Sequence, residues 1–347
     1  MTQHAMRCVA ALLAGFALST ARAGDEPDYL RDLQPYRAQA AVAGTIRVWG
    51  NPYIPELVQA WEDGFRKHHP GIGFVTRLKG TEAAMAGLYA DIADVVFIGR
   101  EPYRPELRAF EDWFGYPATG IKITSGSYAT QHKTFALMVY VHKDNPLAGM
   151  TLAQLDAIYG AERRRGAPGP IRTWGQLGLK GDWADRPIHV YGYNFDTGMA
   201  GFFRLAVMRD SDRWNPELKD FDNGHRPTGE VINAGTYILD AVAHDPAGIG
   251  FANVLFENPG VRRIGLAESE GQPWVEPTKQ NAWLRRWPLT RYSTAFINRR
   301  PGQPVDPKVR EFLRYILSRD GMHAIVEDAA FLPLDATTLL QQLQQLD

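Results

Sequence analysis

The chain has 347 residues, of which 45% are apolar and 22% charged, with 38 basic against 39 acidic side chains and one cysteine. This balance carries no basic stripe and argues against a nucleic-acid partner; the one short run, Arg163-Arg164-Arg165, reads as a solvated loop among Gly and Pro. The lone Cys8 excludes a disulfide framework, thiolate metal sites and a catalytic cysteine.

In chain order, residues 1–23 read MTQHAMRCVAALLAGFALSTARA: Arg7, an apolar run from Cys8 to Leu18, then Ala21-Arg22-Ala23. This is the pattern of a secretory signal cleaved after Ala23, and the run is far shorter than the roughly 20 apolar residues of a membrane span. Cys8 lies inside the signal and follows no lipoprotein cleavage box, so the expected product is soluble, periplasmic or secreted, and not a lipoprotein. Cleavage takes two of the 38 basic residues, Arg7 and Arg22, and no acidic one, leaving 36 against 39 and a formal charge of −3. The remaining 324 of the 347 residues are enough for two lobes, each with its own core.

Residues 24–43 are polar and Ala-rich and read as a leader lying on the surface. "TIRVWG" (45–50) reads as a strand ending in a Gly-Asn-Pro turn, and Pro55 to His68 spaces Leu57, Val58, Trp61 and Phe65 along one helical face. "GIGFVTRLKG" (71–80) is a second strand, "EAAMAGLYA" a helix, and "ADVVFIG" (93–99) an uninterrupted apolar strand of the kind buried in a parallel sheet. This alternation predicts an α/β sheet with crossover helices. Further strands are expected at "FALMVYVHKDNP" (135–146), "RPIHVYGYN", "PAGIGFANV" (246–254) and "LTRYSTAFINR" (289–299), and a last helix over Pro307 to Glu327.

In an open α/β sheet, ligands collect where strands hand over to helix N-termini. Three such loops stand out: "WGNPYIP" (49–55), "LKGTEAA" (78–84) and "NFDTGMA" (194–200). Free N–H groups and a partial positive charge at each helix start suit an anion. Ordinary capping by Asn51, Thr81 and Asp196 or Thr197 explains each loop taken alone equally well. Trp49 and Tyr53 sit at the mouth of the first loop, where an aromatic ring can stack on an organic ligand.

Seven segments in order, "TIRVWGNPYIPELVQAWEDGFRKHHPGIGFV", "KGTEAAMAGLYADIADVVFIGREP", "FALMVYVHKDNPLAGMTLAQLDAIYG", "IRTWGQLGLKG", "DPAGIGFANV", "WPLTRYSTAFINRRPG" and "EFLRYILSRDGMHAIVEDAAFLPL", resemble the PstS-like periplasmic phosphate-binding proteins of ABC importers. The resemblance spans about Thr45 to Leu334. It implies a two-lobed Venus-flytrap α/β fold, each lobe a doubly wound, mainly parallel sheet with helices on both faces. Lobe 1 is then 44–134 plus 292–347, lobe 2 is 135–291, and the crossing strands near 135–142 and 289–298 form the hinge. It also implies capture of phosphate or a related oxyanion by a monomer that delivers it to ABC permease subunits, with no cofactor, no metal and no enzymatic turnover.

The family's ligand contacts fall on Asn51, Tyr53, Gly80, Thr81, Arg100, Asp196, Thr197, Gly198 and Met199, with several departures. Thr197-Gly198-Met199 replaces Ser-Gly-Thr, Tyr193 falls near the family's Arg, Asp196 replaces a Gly, and Arg100 stands near the Asp that accepts the phosphate proton in well-studied members. Gly80-Thr81 keeps a hydroxyl. The departures point either to phosphate held with help from Arg100, or to the same fold with a changed ligand, such as a larger organic anion, or a sensory, scaffold or surface role. Arg100 and Asp196 are expected to pair across the cleft when it is empty.

Enzyme readings fail on their own requirements. The Asp196-Thr197-Gly198 triplet matches the aspartic-protease motif, but that chemistry needs two carboxylates sharing a proton, and no second Asp-Thr-Gly or Asp-Ser-Gly occurs. G-x-S-x-G, G-x-G-x-x-G and Walker patterns are absent from the sequence. His68 and His69 read as surface or helix-end residues, and the other histidines lack metal-ligand spacing.

Overall fold

The computed structural model describes residues 28–347. The expected signal over 1–23 lies outside the described residues. The first sheet opens with β1 (Gly44–Gly50), where Ile46 and Val48 are fully buried. α1 (Pro55–His68) begins on Pro55, whose missing N–H would be unpaired at that position anyway, and buries Leu57, Val58, Trp61 and Phe65. There follow β2 (Ile72–Arg77), α2 (Thr81–Tyr89), β3 (Val95–Ile98), α3 (Arg104–Phe114) and β4 (Thr119–Thr124). All four residues of β3 are buried, as its apolar run demands of a strand covered on both faces.

The chain then builds a second region, holding one five-stranded sheet and two separate two-stranded pairs. Its elements are β5 (Met138–His142), β6 (Gly149–Thr151), α4 (Leu152–Tyr159), β7 (His189–Tyr193), α5 (Gly198–Ala206), β8 (Lys219–Phe221), β9 (Gly224–His225), β10 (Val231–Ile232), α6 (Ala234–Ala243), β11 (Gly248–Ala252), β12 (Val261–Arg263), β13 (Gly265–Ala267) and α7 (Lys279–Trp283). It returns through β14 (Ser293–Ile297) and ends in α8 (Pro307–Ile316), α9 (Arg319–Asp328) and α10 (Ala336–Gln344).

The first sheet has the order β2-β1-β3-β14-β4 and the second β12-β5-β11-β7-β8. β1 runs parallel to β2 and β3, while the returning β14 is antiparallel to β3 and β4. In the second sheet β7 is parallel to β11 and β8, and β5 is antiparallel to β11 and β12. Each sheet has its own core: Trp61, Phe65, Phe97 and Phe312 in the first, and Tyr159, Phe203 and Phe251 in the second, where the rings of Phe203 and Phe251 stack 3.8 Å apart. The carboxyl ends of β1, β2, β3 and β7 feed the loops that carry the site.

Three local expectations are corrected. The leader over 24–43 does not merely lie on the surface: Leu30, Leu33 and Tyr36 are buried in the first core. The Tyr36 hydroxyl donates to Glu311 at 2.6 Å and lies 2.7 Å from Nε2 of His69. His69 is the helix-end residue expected, the C-cap of α1, but it is buried rather than on the surface, and burial pushes its imidazole below the ordinary range against the opposing charge of Glu311.

The last long helix is broken into α8 and α9. Ser318 donates to the Tyr315 carbonyl at 2.7 Å and accepts from the Gly321 N–H at 3.4 Å, ending one helix and capping the next. Glycine is required at 321, because a Cβ there would fall 2.4 Å from the carbonyl oxygens of both Tyr315 and Ile316. The break lets Trp61 of α1 donate its indole N–H to the Gly321 carbonyl at 2.9 Å.

Candidate ligand-binding cleft

At the end of β1, Asn51 is buried, and its Oδ1 accepts from the Tyr53 N–H at 2.9 Å in an Asx turn. Its amide packs so closely on Gly99 that a Cβ at 99 would lie 1.9 Å from Nδ2. Gly80 takes φ +134, a conformation that favours glycine, and donates its N–H to the Gly50 carbonyl at 3.1 Å, which ties the second loop to the first. Thr81 follows as the first residue of α2, buried, one position past the N-cap, which is Gly80 rather than Thr81. Asn51, Gly80, Thr81 and Arg100 thus share one edge of the first sheet.

Arg100 is saturated with carboxylates. Its Nη1 donates to Glu106 Oε2 at 2.9 Å and to the Glu101 carbonyl at 2.9 Å, its Nη2 donates to Glu106 Oε1 at 2.7 Å and Glu82 Oε1 at 2.9 Å, and its Cζ lies 3.7 Å from the centre of the Tyr103 ring. Burial works against the charge, but the bonds to Glu106 and Glu82 prevail and hold the guanidinium above its ordinary value. Glu82 is held below the carboxylate range by the Arg100 bond and by its own backbone N–H. At the start of α2, then, an internal carboxylate occupies the helix N-terminus.

The second lobe contributes the start of α5. The Thr197 hydroxyl donates to the Asn194 carbonyl at 2.8 Å and accepts from the Ala200 N–H at 3.2 Å, so it is the cap. Asp196 is exposed; its backbone carbonyl, not its carboxylate, accepts from the Tyr103 hydroxyl at 3.2 Å across the cleft. A Cβ on Gly198 would meet Cβ and Cδ of Arg100 at 3.5 Å, which places the first turn of α5 directly on that side chain. The expected pairing of Arg100 with Asp196 is therefore corrected: Glu82 and Glu106 hold the guanidinium.

Tyr53 turns to one side, stacking on His132 at 5.1 Å between ring centres, while its carbonyl accepts from Lys133 Nζ. Met199 turns inward, and its Sδ accepts from Arg291 Nη1 at 3.3 Å. Arg291, with its partner Glu101, is the site feature that sequence reasoning missed. It lay inside the returning strand pattern, where only a charged residue in an otherwise apolar run signalled it.

Known proteins share this plan. The description "PBP superfamily domain" matches residues 36–320. The chain is 28% identical over 341 residues to the phosphate-binding protein PstS of Pseudomonas aeruginosa, covering 98% of each chain. It is 23% identical over 308 residues to protein SphX of Synechococcus elongatus, covering 88% of this chain and 82% of that one. Among solved structures, PstS from Borrelia burgdorferi superposes with a TM-score of 0.53 at 13% identity, covering 84% of this chain and 99% of that one. An ABC-type phosphate transport receptor from Vibrio cholerae gives 0.51 at 18% identity, with 83% and 99% covered. These two show the fold, and with the sequence match over 36–320 the chain belongs to the PBP superfamily.

Proposed function

We propose that this protein is an exported solute-binding protein that captures phosphate or a similar small oxyanion between two lobes for an ABC importer. The observation that carries the reading is a convergence. The start of α2 from one lobe and the start of α5 from the other meet at a guanidinium, Arg100, in a chain that matches PstS of Pseudomonas aeruginosa end to end. Helix N-termini and guanidinium groups are the protein groups that best match an oxyanion, in charge and in donor geometry. The chemistry is binding and release without turnover: closure raises affinity because the closed state alone presents donors from both lobes.

In this reading lobe 1 is 44–134 plus 292–347, lobe 2 is 135–291, and the ligand set is drawn from Asn51, Tyr53, Gly80, Thr81, Arg100, Asp196, Thr197, Gly198 and Met199. The protein works as a periplasmic or secreted monomer without a lipid anchor, and its partner is the permease. Among the described residues no helix is long and apolar enough to cross a membrane. Isothermal titration of the mature protein with inorganic phosphate, sulfate and small organic anions tests the proposal; saturable, selective binding of phosphate is the expected result, and no heat with any oxyanion refutes it.

One observation favours a second reading, in which the fold serves a different ligand. Glu82, Glu101 and Glu106 bind the guanidinium groups of Arg100 and Arg291, so the protein's own carboxylates already neutralise these two charges. The same titration decides, since a selective response to an organic anion with none to phosphate would establish it.

A further inference from the structure

Arg291 is 1% exposed, a charged side chain sealed in the protein. It sits two residues ahead of β14, where the chain re-enters the first sheet, yet its guanidinium lies beside the first turn of α5 in the other lobe. Nε and Nη2 grip Glu101 at two points, 3.2 Å to Oε1 and 2.6 Å to Oε2. Among the described residues Nη1 has only the Met199 sulfur, at 3.3 Å, and Cζ stands 5.2 Å from the centre of the Phe202 ring. The neighbouring Tyr193 phenol, pushed up by burial, feels the opposing charge of Arg291.

We propose that Arg291 is the principal oxyanion-binding residue of the cleft, and that Glu101 is an internal counter-ion which occupies the anion's seat until the ligand displaces it. The inference rests on the oxyanion reading above. A planar guanidinium fork accepts a carboxylate and a tetrahedral oxyanion in the same two-point geometry, so the Glu101 carboxylate marks where ligand oxygens fit. A thioether is a weak acceptor, so the third nitrogen has a better partner to gain from an anion carrying additional oxygens.

The exchange keeps charge balanced, because Arg291 passes from one anion to another and is never left buried and unpaired. Glu101 is the partner free to move. It lies outside any helix or strand and its side chain is 23% exposed, whereas Arg291 is enclosed. Arg100 is less suited to the role, because two carboxylates and a carbonyl already take its donors and Tyr103 covers its face. Arg291 also places a guanidinium next to Tyr193, the position where the sequence lacks one.

The test is titration of the full mature protein, freed of bound anions, with inorganic phosphate, alongside Arg291→Lys and Glu101→Gln. Circular dichroism and thermal melts are recorded for each. Arg291→Lys keeps the charge but not the fork, and should weaken phosphate binding at least ~50-fold, the scale of losing a two-point charged contact. Glu101→Gln should bind phosphate several-fold more tightly, melt lower without ligand, and show a larger phosphate-induced rise in Tm. Wild-type affinity in a folded Arg291→Lys overturns the proposal. So does weaker binding by Glu101→Gln, which also decides the matter if Arg291→Lys does not fold. No phosphate binding by the wild type overturns the oxyanion reading itself, and is seen before any variant is compared.

Discussion

Arg104, the first residue of α3, reaches across to the second lobe and holds Asp210 twice: Nε donates to Oδ2 at 2.9 Å, and Nη2 donates to the backbone carbonyl at 2.6 Å. Nη1 meets Asp212 Oδ2 at 2.5 Å, and Arg204 of α5 closes the network on both acids. Arg209 and Asp210 both adopt left-handed backbone, at φ +47 and +61, to present these groups. The network lies outside the proposed ligand set and ties the start of α3 to α5 and to Asp210 and Asp212.

Arg104→Ala should therefore shift the protein toward the open form. The side chain of Arg104 is 50% exposed, so screening limits each ion pair to about 0.2–1 kcal/mol. The expected loss of ligand affinity is a few-fold at low salt, fading as salt rises. Small-angle scattering with and without ligand, at two ionic strengths, reads the effect directly. A compact profile indistinguishable from wild type at low salt would remove the latch role.

The two threonines at the helix starts should part company. The Thr197 hydroxyl is already used as donor and acceptor within its own turn, so Thr197→Ala should cost about 1 kcal/mol of stability and leave ligand affinity nearly unchanged. Gly80, not Thr81, is the N-cap of α2, so the Thr81 hydroxyl is not the capping group there and is offered to the ligand. Thr81→Ala should weaken binding by roughly 1–3 kcal/mol if the acceptor is charged. Melting curves and titrations on both variants separate cap from contact.

Asp196 adds a negative charge at the start of α5, where an oxyanion would dock, and its carboxylate has no ion-pair partner within 4.0 Å among the described residues. Asp196→Asn should therefore tighten oxyanion binding, by a few-fold at low ionic strength, because a repulsion is removed and no bridge is broken. Weaker binding would make Asp196 a direct contact.

The anchored leader gives a pH dependence. The His69 imidazole, depressed by burial, takes its proton at a lower pH folded than unfolded, where the ordinary value is near 6.5. Below about pH 6.5 the unfolded chain binds the additional proton first, so this contribution to stability is full above that pH and is lost as pH falls. His69→Gln should flatten that part of the Tm profile between pH 7 and 5. Tyr36→Phe, which strips a hydroxyl from the buried Glu311, should cost about 1–3 kcal/mol at neutral pH.

The sequence by itself determined the layered α/β plan, because period-two and period-3.6 apolar patterns are local properties. Pro55 with Leu57, Val58, Trp61 and Phe65 specifies α1, and the unbroken run of β3 specifies a buried strand. The order of its motifs determined the kinship. Of the caps that local chemistry offered, Thr197 holds its helix start, whereas the N-caps of α1 and α2 are Ile54 and Gly80 rather than Asn51 and Thr81. What remained for the tertiary structure was every partnership between groups far apart in the chain. The return of β14 between β3 and β4 brings Arg291 to Glu101 and Met199, positions 190 and 92 residues away. Arg100 took Glu82 and Glu106 rather than Asp196 because α2 and α3 start on its own side of the cleft, and a buried charge takes the carboxylates within reach. The leader entered the core for the same kind of reason: Leu30, Leu33 and Tyr36 are too sparse to form a periodic signal, and it is the folded first core, with Glu311 and Tyr315 of α8 and Asp320 of α9 against Tyr36, that gave them somewhere to be buried.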